Sequence, residues 1–259
     1  MNELLRLPAE ARPIVQAAAV VYVKHTTPWL IGLIVHGSGV KGGYIPGCSD
    51  IDFQLYLNEE VFTSSGQLRL ALALEIHRDL SRIDPSPFRY LQCGAWPHQL
   101  LKAQLGPIPG AYCLLAGRLP IAEATREQLQ TSARQALSDL NSVPAFITSG
   151  LLDHGGGRLA AHIRLLCTKV WPMLYHVLTL QHEDAIHVWN LTKAQAIQCL
   201  PAHSPLRQTI DEFYAAVWHY YPAEKSFEDG LTVIQKGVAF LEAAKTWWAS
   251  GGETRFCDA

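Results

Sequence analysis

Residues 29–57 read WLIGLIVHGSGVKGGYIPGCSDIDFQLYL, and the interpretation of the rest of the chain starts from this stretch. Residues 30–35 form a short apolar run with several branched side chains, which favours a buried strand over an amphipathic helix. A turn at Gly37 and a glycine-containing loop follow, and a second apolar run begins after Ser49. The pattern predicts two strands joined by a glycine-rich connection.

Two aspartates open the second predicted strand. Residues two apart in a strand point to the same face, so Asp50 and Asp52 are expected to project together while Ile51 and Phe53 point away. Neighbouring carboxylates repel each other unless a cation lies between them. Hard oxygen ligands select Mg²⁺, which is usually held by one or two carboxylates and the phosphates of a substrate. The spacing therefore predicts a Mg²⁺ site at Asp50 and Asp52, although an isolated Asp-x-Asp is more often a solvated strand end.

The turn upstream of the aspartates favours the functional interpretation. Gly37 has no Cβ, so its backbone can approach a phosphate closely. A helix that starts at Ser38 would offer free N–H groups and the positive end of its dipole to that phosphate. Gly37 and Ser38 are therefore candidate nucleotide-binding residues.

The motif formed by Gly37-Ser38, Gly42-Gly43, Pro46 and Ser-Asp-Ile-Asp at residues 49–52 resembles the active-site signature of the DNA polymerase β-like nucleotidyltransferase superfamily. The loop is most similar to that of the small aminoglycoside nucleotidyltransferases, which adenylylate antibiotics and so confer resistance. The resemblance implies an α/β (α+β) core with a mixed sheet and adds Ser49 to the nucleotide-binding residues. It also implies Mg²⁺-dependent transfer of AMP from ATP, or of another nucleoside monophosphate, to a hydroxyl of a small molecule, with release of pyrophosphate.

The sequence departs from this family on the third predicted strand. Relatives place a further Asp or Glu there, whereas this chain has Tyr90 and Gln92. A glutamine amide can bind or orient a group, so Gln92 is a candidate catalytic residue, but it cannot accept a proton. Either the base comes from elsewhere, or the reaction depends on metal and positioning. The candidates for another base are Asp153, His154 and His98.

Two domains are expected, with a nucleotidyltransferase core at residues 1–145 and an all-α helical bundle at residues 146–259. In the core, the pattern predicts two helices, a third strand and an edge strand, at residues 8–24, 67–80, 88–93 and 112–118. Thr125 and Gln128 have the spacing of a capping box that opens a helix to about Leu140. Further helices are predicted over residues 159–180 and 226–248.

The helical half contains a lysine in an unfavourable position. Thr192 and Gln195 form another capping-box pattern, which places Lys193 in the first helical turn, where the helix dipole disfavours a cation. A triphosphate is the expected partner for this charge. The resemblance to the adenylyltransferases implies that Lys169 and Tyr214 lie around the ATP together with Lys193.

The acceptor is expected in a pocket between the two domains. A polycationic aminoglycoside would require carboxylates and aromatic faces, and the sequence does not select among the available ones. These are Asp153, Glu183, Asp184, Asp211 and Glu212, with Trp171, Trp189 and Trp218.

Composition excludes several classes of protein. The chain has 259 residues, 49% hydrophobic residues and a net charge of −2, so no basic surface indicates a nucleic-acid partner. The six cysteines are scattered singly, which is typical of reduced thiols. The amino terminus lacks the pattern of a signal peptide, and residues 159–180 contain Arg164 and Lys169, which predicts a packed helix rather than a membrane span. We therefore expect a cytoplasmic protein that acts without a membrane.

Two alternatives to the small-molecule enzyme remain open. A catalytically degenerate protein of the same fold would bind its partner as a sensor or antitoxin-like module, and the missing third acid favours this. The intact pair of aspartates opposes it, because repelling carboxylates have no purpose without a metal. A third alternative is nucleotidyl transfer to a protein side chain, which the same core would support.

Overall fold

The computed structural model describes residues 3–99 and 105–252. The chain divides into two compact units, Met1–Ala124 and Thr125–Ala259. The sequence predicted a later boundary, at residue 145. The division comes earlier because the helix that begins at Arg126 packs against the long helix of the second unit.

The first unit is built on a four-stranded mixed sheet. Its strands are β1 (Leu30–His36), β2 (Ile51–Leu57), β3 (Leu91–Pro97) and β4 (Tyr112–Gly117), in the spatial order β3-β2-β1-β4. β1 is antiparallel to both β2 and β4, whereas β2 and β3 are parallel. The two strands of the central motif and the edge position of the 112–118 strand are as predicted.

β3 begins later than the predicted strand at residues 88–93. The Phe88 N–H donates to the Pro85 carbonyl, and Phe88 itself is buried. The chain therefore completes a turn before it can extend, and the Arg89 N–H donates to the Ser49 carbonyl. Parallel pairing starts where Leu91 lies opposite Ile51. This register brings Gln92 beside Asp52.

One face of the sheet carries the main core of the first unit. The helices α1 (Ala11–Thr26) and α3 (Leu70–Leu80) pack against each other, and their buried residues join those of the sheet in one hydrophobic cluster. The Tyr22 and Phe53 rings are in contact, with centroids 5.2 Å apart. The predicted helices at residues 8–24 and 67–80 are thus present with slightly shifted ends. A four-residue helix, α2 (Ser38–Lys41), follows β1.

The other face of the sheet has a smaller cluster. Ile34 and Tyr56 are buried there, against partly buried side chains that include Trp96 and Leu114. Asp52 lies four positions before Tyr56 on β2. Residues an even number of positions apart in a strand point to the same face, so Asp52 belongs to this second face. The apolar part of the face gives way to polar side chains toward the Asp52 end of the strand.

The described residues of the second unit form helices without strands. These helices are α4 (Arg126–Ser138), α5 (Ala145–His154), α6 (Leu159–Gln181), α7 (Ala185–Asn190), α8 (Lys193–Gln198), α9 (Pro205–Tyr220) and α10 (Phe227–Ala249). The long helix α6 packs against α4 and α10, and α9 packs against α10. The capping boxes predicted at Thr125 and Thr192 are both formed. The prediction of a helical half is confirmed, although the helical unit also includes α4.

Two expectations about the whole chain can be compared with the described residues. Within residues 3–99 and 105–252, no helix has the length and apolar character needed to cross a membrane. The five cysteines in this part of the chain form no disulfide. Cys257 lies outside the described residues.

Candidate functional site

The turn between β1 and α2 brings the backbone of Gly37 against Asp52. Gly37 has φ 70° and ψ −143°, a conformation that favours glycine, and its carbonyl accepts hydrogen bonds from the N–H groups of Val40 and Lys41. A Cβ added to Gly37 would come within 2.9 Å of Asp52 Oδ2. The Asp52 carboxylate is therefore seated directly on the turn that starts α2.

The loop after α2 is held together by the other motif residues. Gly42, Gly43 and Gly47 all have positive φ angles, which explains the glycines in this segment. Ser49 Oγ accepts a 2.9 Å hydrogen bond from the Ile45 N–H. Ser38 Oγ donates to the Asp50 carbonyl over 3.3 Å. Both serine hydroxyls thus fix the loop locally, and their contact with a nucleotide stays a prediction.

Asp52 lies in a row of polar side chains that crosses the sheet. It is paired with His36 of β1 on one side and with Gln92 of β3 on the other, and His36 is paired with Tyr112 of β4. Residues directly opposite each other on neighbouring strands point to the same face. The second face of the sheet therefore carries Gln92, Asp52, His36 and Tyr112 side by side.

His36 is uncharged at neutral pH and lies opposite Asp52 on the neighbouring strand. Burial lowers the pKa of His36 to about 4, and the Asp50 carboxylate only partly opposes this shift. Asp50 lies one residue before β2 and not in the strand as predicted, so its side chain's proximity to Asp52 stays a prediction. The neutral imidazole supplies no positive charge to Asp52.

At this end of the sheet, Asp52 could supply a carboxylate oxygen to a hard cation, and Gln92 could add the amide oxygen of the next strand. Asp50 stays a predicted ligand. Among the described residues, no group of three or more His, Cys, Asp or Glu side chains could hold a metal ion. A Mg²⁺ ion here would thus complete its coordination with water or substrate oxygens, as Mg²⁺ commonly does.

The candidates for the missing base are placed as follows. Gln92 is exposed, and the Tyr90 hydroxyl donates to its side-chain oxygen over 3.3 Å. His98 lies six positions further along the chain than Gln92, at the far end of β3, roughly 20 Å away at the rise of a strand. Asp153 is an exposed residue of α5 in the second unit, and the side chain of His154 lies outside the described residues. Within the first unit, His98 is therefore remote from Asp52.

In the second unit, two of the predicted nucleotide-binding residues surround one tryptophan. The Lys193 ammonium lies 5.7 Å from the centroid of the Trp171 ring. The Tyr214 ring meets Trp171 edge-on, with centroids 5.8 Å apart, and meets the partly exposed Trp218 in the same way. Lys193 and Tyr214, which are distant in sequence, thus belong to one cluster of aromatic rings and a cation.

Lys169 lies apart from this cluster. It precedes Trp171 by two positions on α6, so the two side chains leave the helix on roughly opposite sides, given about 3.6 residues per turn. Lys169 lines a cavity of ≈ 440 Å³ together with Pro172 and His176 of the same helix. Asp139 and Phe146 form part of the facing wall. The structure therefore separates Lys169 from Lys193 within the helical unit.

His176 is a half-buried polar residue of this cavity. Burial lowers the pKa of His176 to about 4, so its ring is neutral at physiological pH. Its Nδ1 is buried without a hydrogen-bond partner among the described residues. The ring meets Trp189 edge-on at a centroid distance of 5.3 Å. The cavity thus combines apolar walls with a neutral imidazole and two charged side chains, Lys169 and Asp139.

Most of the carboxylates considered for the acceptor have structural partners. Asp184 caps α7 by accepting the His187 N–H, Asp211 pairs with Arg207, and Glu212 pairs with Lys236 at 2.9 Å. Trp189 donates from Nε1 to Thr179 Oγ1 and stacks on Tyr175. These residues stabilise the helical unit, whatever else they contact.

Sequence reasoning missed two polar residues of the sheet face, His36 and Tyr112, and also Glu123, which follows β4. His36 was part of the quoted stretch but received no role, and Tyr112 and Glu123 were not considered. The Tyr112 hydroxyl donates to Glu123 Oε1 over 2.9 Å. Only the pairing of β1 with β4 brings Tyr112 next to His36, and no local pattern in the sequence contains that information.

In comparisons with known proteins, no family model and no curated protein matches the chain. Its function must therefore be inferred from the sequence motif and from the geometry around Asp52 and Trp171.

Proposed function

We propose that the protein is a Mg²⁺-dependent nucleotidyltransferase that transfers a nucleoside monophosphate, AMP from ATP in the first instance, to a hydroxyl of a small molecule. Pyrophosphate is the other product. The observation that carries the proposal is the seating of the Asp52 carboxylate on the Gly37 turn, with Asp50 two positions away. A carboxylate pair beside a glycine turn suits metal-assisted phosphoryl transfer.

Asp50 and Asp52 would hold the Mg²⁺ ion. When bound, the ion neutralises charge on the phosphates and lowers the pKa of a coordinated hydroxyl. Helix α2 has four residues, and the N–H groups of Val40 and Lys41 already donate to the Gly37 carbonyl. A backbone contact with phosphate oxygens would therefore come from the N–H groups of Ser38 and Gly39. Gln92, beside Asp52, is placed to orient the acceptor hydroxyl through its amide.

The helical unit has features that suit a nucleotide. Lys193 supplies a positive charge next to Trp171 and Tyr214, which is appropriate for a triphosphate. The cavity beside α6 has apolar walls and polar groups at Asp139, Asn141 and His176, which suit a purine ring. We assign the base to this cavity. Lys169 lines the cavity but lies apart from Lys193, so its contact with a phosphate of the same nucleotide stays a prediction.

The acceptor class follows from the resemblance of the loop to the aminoglycoside nucleotidyltransferases. In the reaction, the acceptor oxygen forms a bond to the α-phosphorus as the bond from that phosphorus to the bridging oxygen of pyrophosphate breaks. General-base assistance is typically worth about 10² to 10⁴ in rate, and alignment and charge stabilisation supply most of the remainder. A chain with Gln92 in place of the third acid would thus be a slower enzyme of the same type.

The test combines ATP labelled at the α-phosphate with Mg²⁺ and a panel of aminoglycosides. The wild-type protein should release pyrophosphate only when an acceptor is present, and Asp50→Asn and Asp52→Asn should each abolish transfer with an unchanged circular dichroism spectrum. Glu60→Gln is a matched control, because Glu60 is an exposed carboxylate beyond the opposite end of β2. Full activity in either aspartate variant would refute the assignment.

The second candidate is a protein that binds a nucleotide without turning it over. It is favoured by Gln92, whose position directly beside Asp52 is where a proton-accepting acid would act. ATP binding without acceptor-dependent pyrophosphate release in the same assay would support this candidate. Label that appears on a protein band would instead indicate transfer to a protein side chain.

Assignment of the base to the cavity has its own test. Ala136→Phe would fill the cavity, since Ala136 lines it, and should weaken ATP binding by about tenfold or more, because one well-buried ring contributes at least that much. Ser138→Phe is the control, because Ser138 is exposed and near the same end of α4. Equal ATP affinity in both variants would exclude the cavity as the base site.

A further inference from the structure

The backbone in front of Lys193 is held by a buried tyrosine. Helix α7 ends at Asn190 and α8 begins at Lys193, so Leu191 and Thr192 alone connect the two helices. The Tyr175 hydroxyl donates a 2.8 Å hydrogen bond to the Leu191 carbonyl. Tyr175 belongs to α6 and is 4% exposed. This bond therefore attaches the start of α8 to the long helix of the unit.

The Trp189 indole fixes the Tyr175 ring. The two rings are stacked, with centroids 5.1 Å apart. Trp189 Nε1 donates to Thr179 Oγ1 over 2.9 Å, and that hydroxyl donates in turn to the Tyr175 carbonyl over 2.7 Å. A buried polar network whose members have partners is rigid. The Tyr175 hydroxyl is thus held in one place without help from a ligand.

These two rings contact both regions to which parts of the nucleotide are assigned. Trp171 precedes Tyr175 by four positions on α6, so the two side chains share a face of the helix. The Lys193 ammonium lies 5.7 Å from the centroid of the Trp171 ring. On its other side, Trp189 meets His176 edge-on, and His176 lines the cavity assigned to the base. The network therefore connects the cavity wall with the segment that carries Lys193.

Helix α8 depends on such an attachment for its position. It has six residues, fewer than a helix needs to be stable by itself, and it packs against α6 and α9. The ammonium of Lys193 stands on a flexible four-carbon stem, and its attraction to a phosphate decreases with distance. The place of the α8 backbone therefore decides how well Lys193 can contact a phosphate.

We propose that Tyr175 is a positioning residue for the phosphate site, because its hydroxyl fixes the Leu191 carbonyl and so holds Lys193 beside Trp171. This inference rests on the proposed function and adds the residue that determines where the proposed phosphate contact lies. Trp189 supports the Tyr175 ring from the side of the cavity. Neither ring takes part in the chemical step.

Nuclear magnetic resonance without nucleotide tests the positioning itself. The probe is the ε-methylene signal of Lys193 in protein that contains isotope-labelled lysine, assigned by its absence in Lys193→Gln. In the wild type, the ring current of Trp171 should shift this signal upfield, because the ammonium lies over that ring. Tyr175→Phe should remove most of the shift. The control is Tyr220→Phe, at another buried tyrosine of the unit, which should leave the shift unchanged.

Binding of ATP and of adenosine separates a positioning role from a merely structural one. Tyr175→Phe should weaken ATP binding by about threefold and leave adenosine binding unchanged, because adenosine has no phosphate. Lys193→Gln should weaken ATP binding by about tenfold. The double variant should bind ATP as Lys193→Gln does, and not about thirtyfold more weakly than the wild type, since Tyr175 acts through Lys193. Equal loss of ATP and adenosine binding in Tyr175→Phe would overturn the inference.

The inference and the proposed function fail in different ways. If Tyr175→Phe moves the Lys193 signal but Lys193→Gln binds ATP as the wild type does, Tyr175 positions the lysine and the proposed phosphate contact is wrong. If Lys193→Gln weakens ATP binding while Tyr175→Phe changes neither the signal nor the ATP affinity, the phosphate contact stands and the inference is wrong. Should Tyr175→Phe fail to fold, the same signal decides in Thr179→Val, which removes the acceptor of the Trp189 indole.

Discussion

Asp52 and Gly37 are in close contact across the end of the β1–β2 pair. The Asp52 carboxylate lies where a side chain on Gly37 would have to be, because a Cβ there would come within 2.9 Å of Oδ2. Gly37 also has a φ angle of 70°. The missing side chain of Gly37 thus leaves the room that the Asp52 carboxylate occupies.

Gly37→Ala should therefore lower both stability and activity. The positive φ angle alone should cost about 1 to 3 kcal/mol of the free energy of unfolding. The added methyl group would also displace the Asp52 carboxylate and should reduce transfer by a large factor. Urea unfolding and the labelled-ATP assay measure the two effects.

The matched control for this substitution is Gly42→Ala. Gly42 has φ 76° and ψ −163°, close to the values of Gly37, but a Cβ there would meet only Pro8 at 3.9 Å. Gly42→Ala should show the backbone strain without the loss of activity. Similar activity in the two variants would mean that the contact of Gly37 with Asp52 is irrelevant to function.

Gln92→Glu should increase the rate of transfer. Gln92 is the direct cross-strand partner of Asp52, so the introduced carboxylate would stand where a proton acceptor is absent. A general base contributes about 10² to 10⁴ in rate, and we expect a gain near the lower limit because the surroundings did not evolve around it. The measurement is kcat as a function of pH, and the variant should show a new decrease in kcat at acidic pH.

Gln92→Met serves as the comparison because it keeps the side-chain length and removes the amide. Without Mg²⁺, Gln92→Glu should also be less stable than Gln92→Met, since two carboxylates would then face each other. Mg²⁺ should restore most of that difference in the free energy of unfolding. If Gln92→Glu and Gln92→Met transfer at the same rate, the absence of the third acid does not limit the rate of transfer by this protein.

The parts of the fold that the sequence predicts are those with local signals. The capping boxes at Thr125 and Thr192 consist of residues three apart, and both are formed as expected. The two strands around Gly37 follow from short apolar runs and from the glycines between them. Helix α6 is likewise evident from a long apolar stretch interrupted by charges.

The remaining features depend on contacts between residues distant in sequence. β3 starts at Leu91 rather than at Phe88 because the turn after Pro85 must be completed first. The unit boundary falls before α4 because that helix packs on α6, which no local pattern shows. For the site, Asp50 and Asp52 are recognisable from their spacing. By contrast, His36, Tyr112 and Glu123 join them only through strand register and one long-range hydrogen bond.

Lys193→Gln should weaken ATP binding with little change in stability. In the folded protein, the contact of Lys193 with Trp171 stabilises the lysine by about 0.5 to 1 kcal/mol, while the dipole of α8 destabilises it by a similar amount. These two effects have opposite signs, so we expect the free energy of unfolding to change by at most about 1 kcal/mol. Loss of one phosphate contact should reduce ATP affinity by about tenfold.

Lys236→Gln provides the control for Lys193→Gln. Lys236 pairs with Glu212 between α10 and α9, and both side chains are partly exposed, so the change in stability should also be small. ATP affinity should equal that of the wild type, as measured by equilibrium dialysis. If Lys193→Gln also binds ATP as tightly as the wild type, the triphosphate is not the partner of Lys193.

The stability of the helical unit should decrease as the pH falls from about 6.5 to about 4, and His176 should be one cause. Burial lowers the pKa of His176 from 6.5 to about 4 in the folded state. In that pH range the unfolded chain binds a proton at His176 and the folded chain does not, so the free energy of unfolding falls as the pH is lowered, by at most about 1.4 kcal/mol per pH unit. Above the unfolded pKa, neither state is protonated and the contribution is constant. His176→Leu should therefore flatten the pH dependence of the urea midpoint between pH 4 and 6.5. If the slope is unchanged in His176→Leu, the pKa of the His176 imidazole is the same in the folded and the unfolded protein.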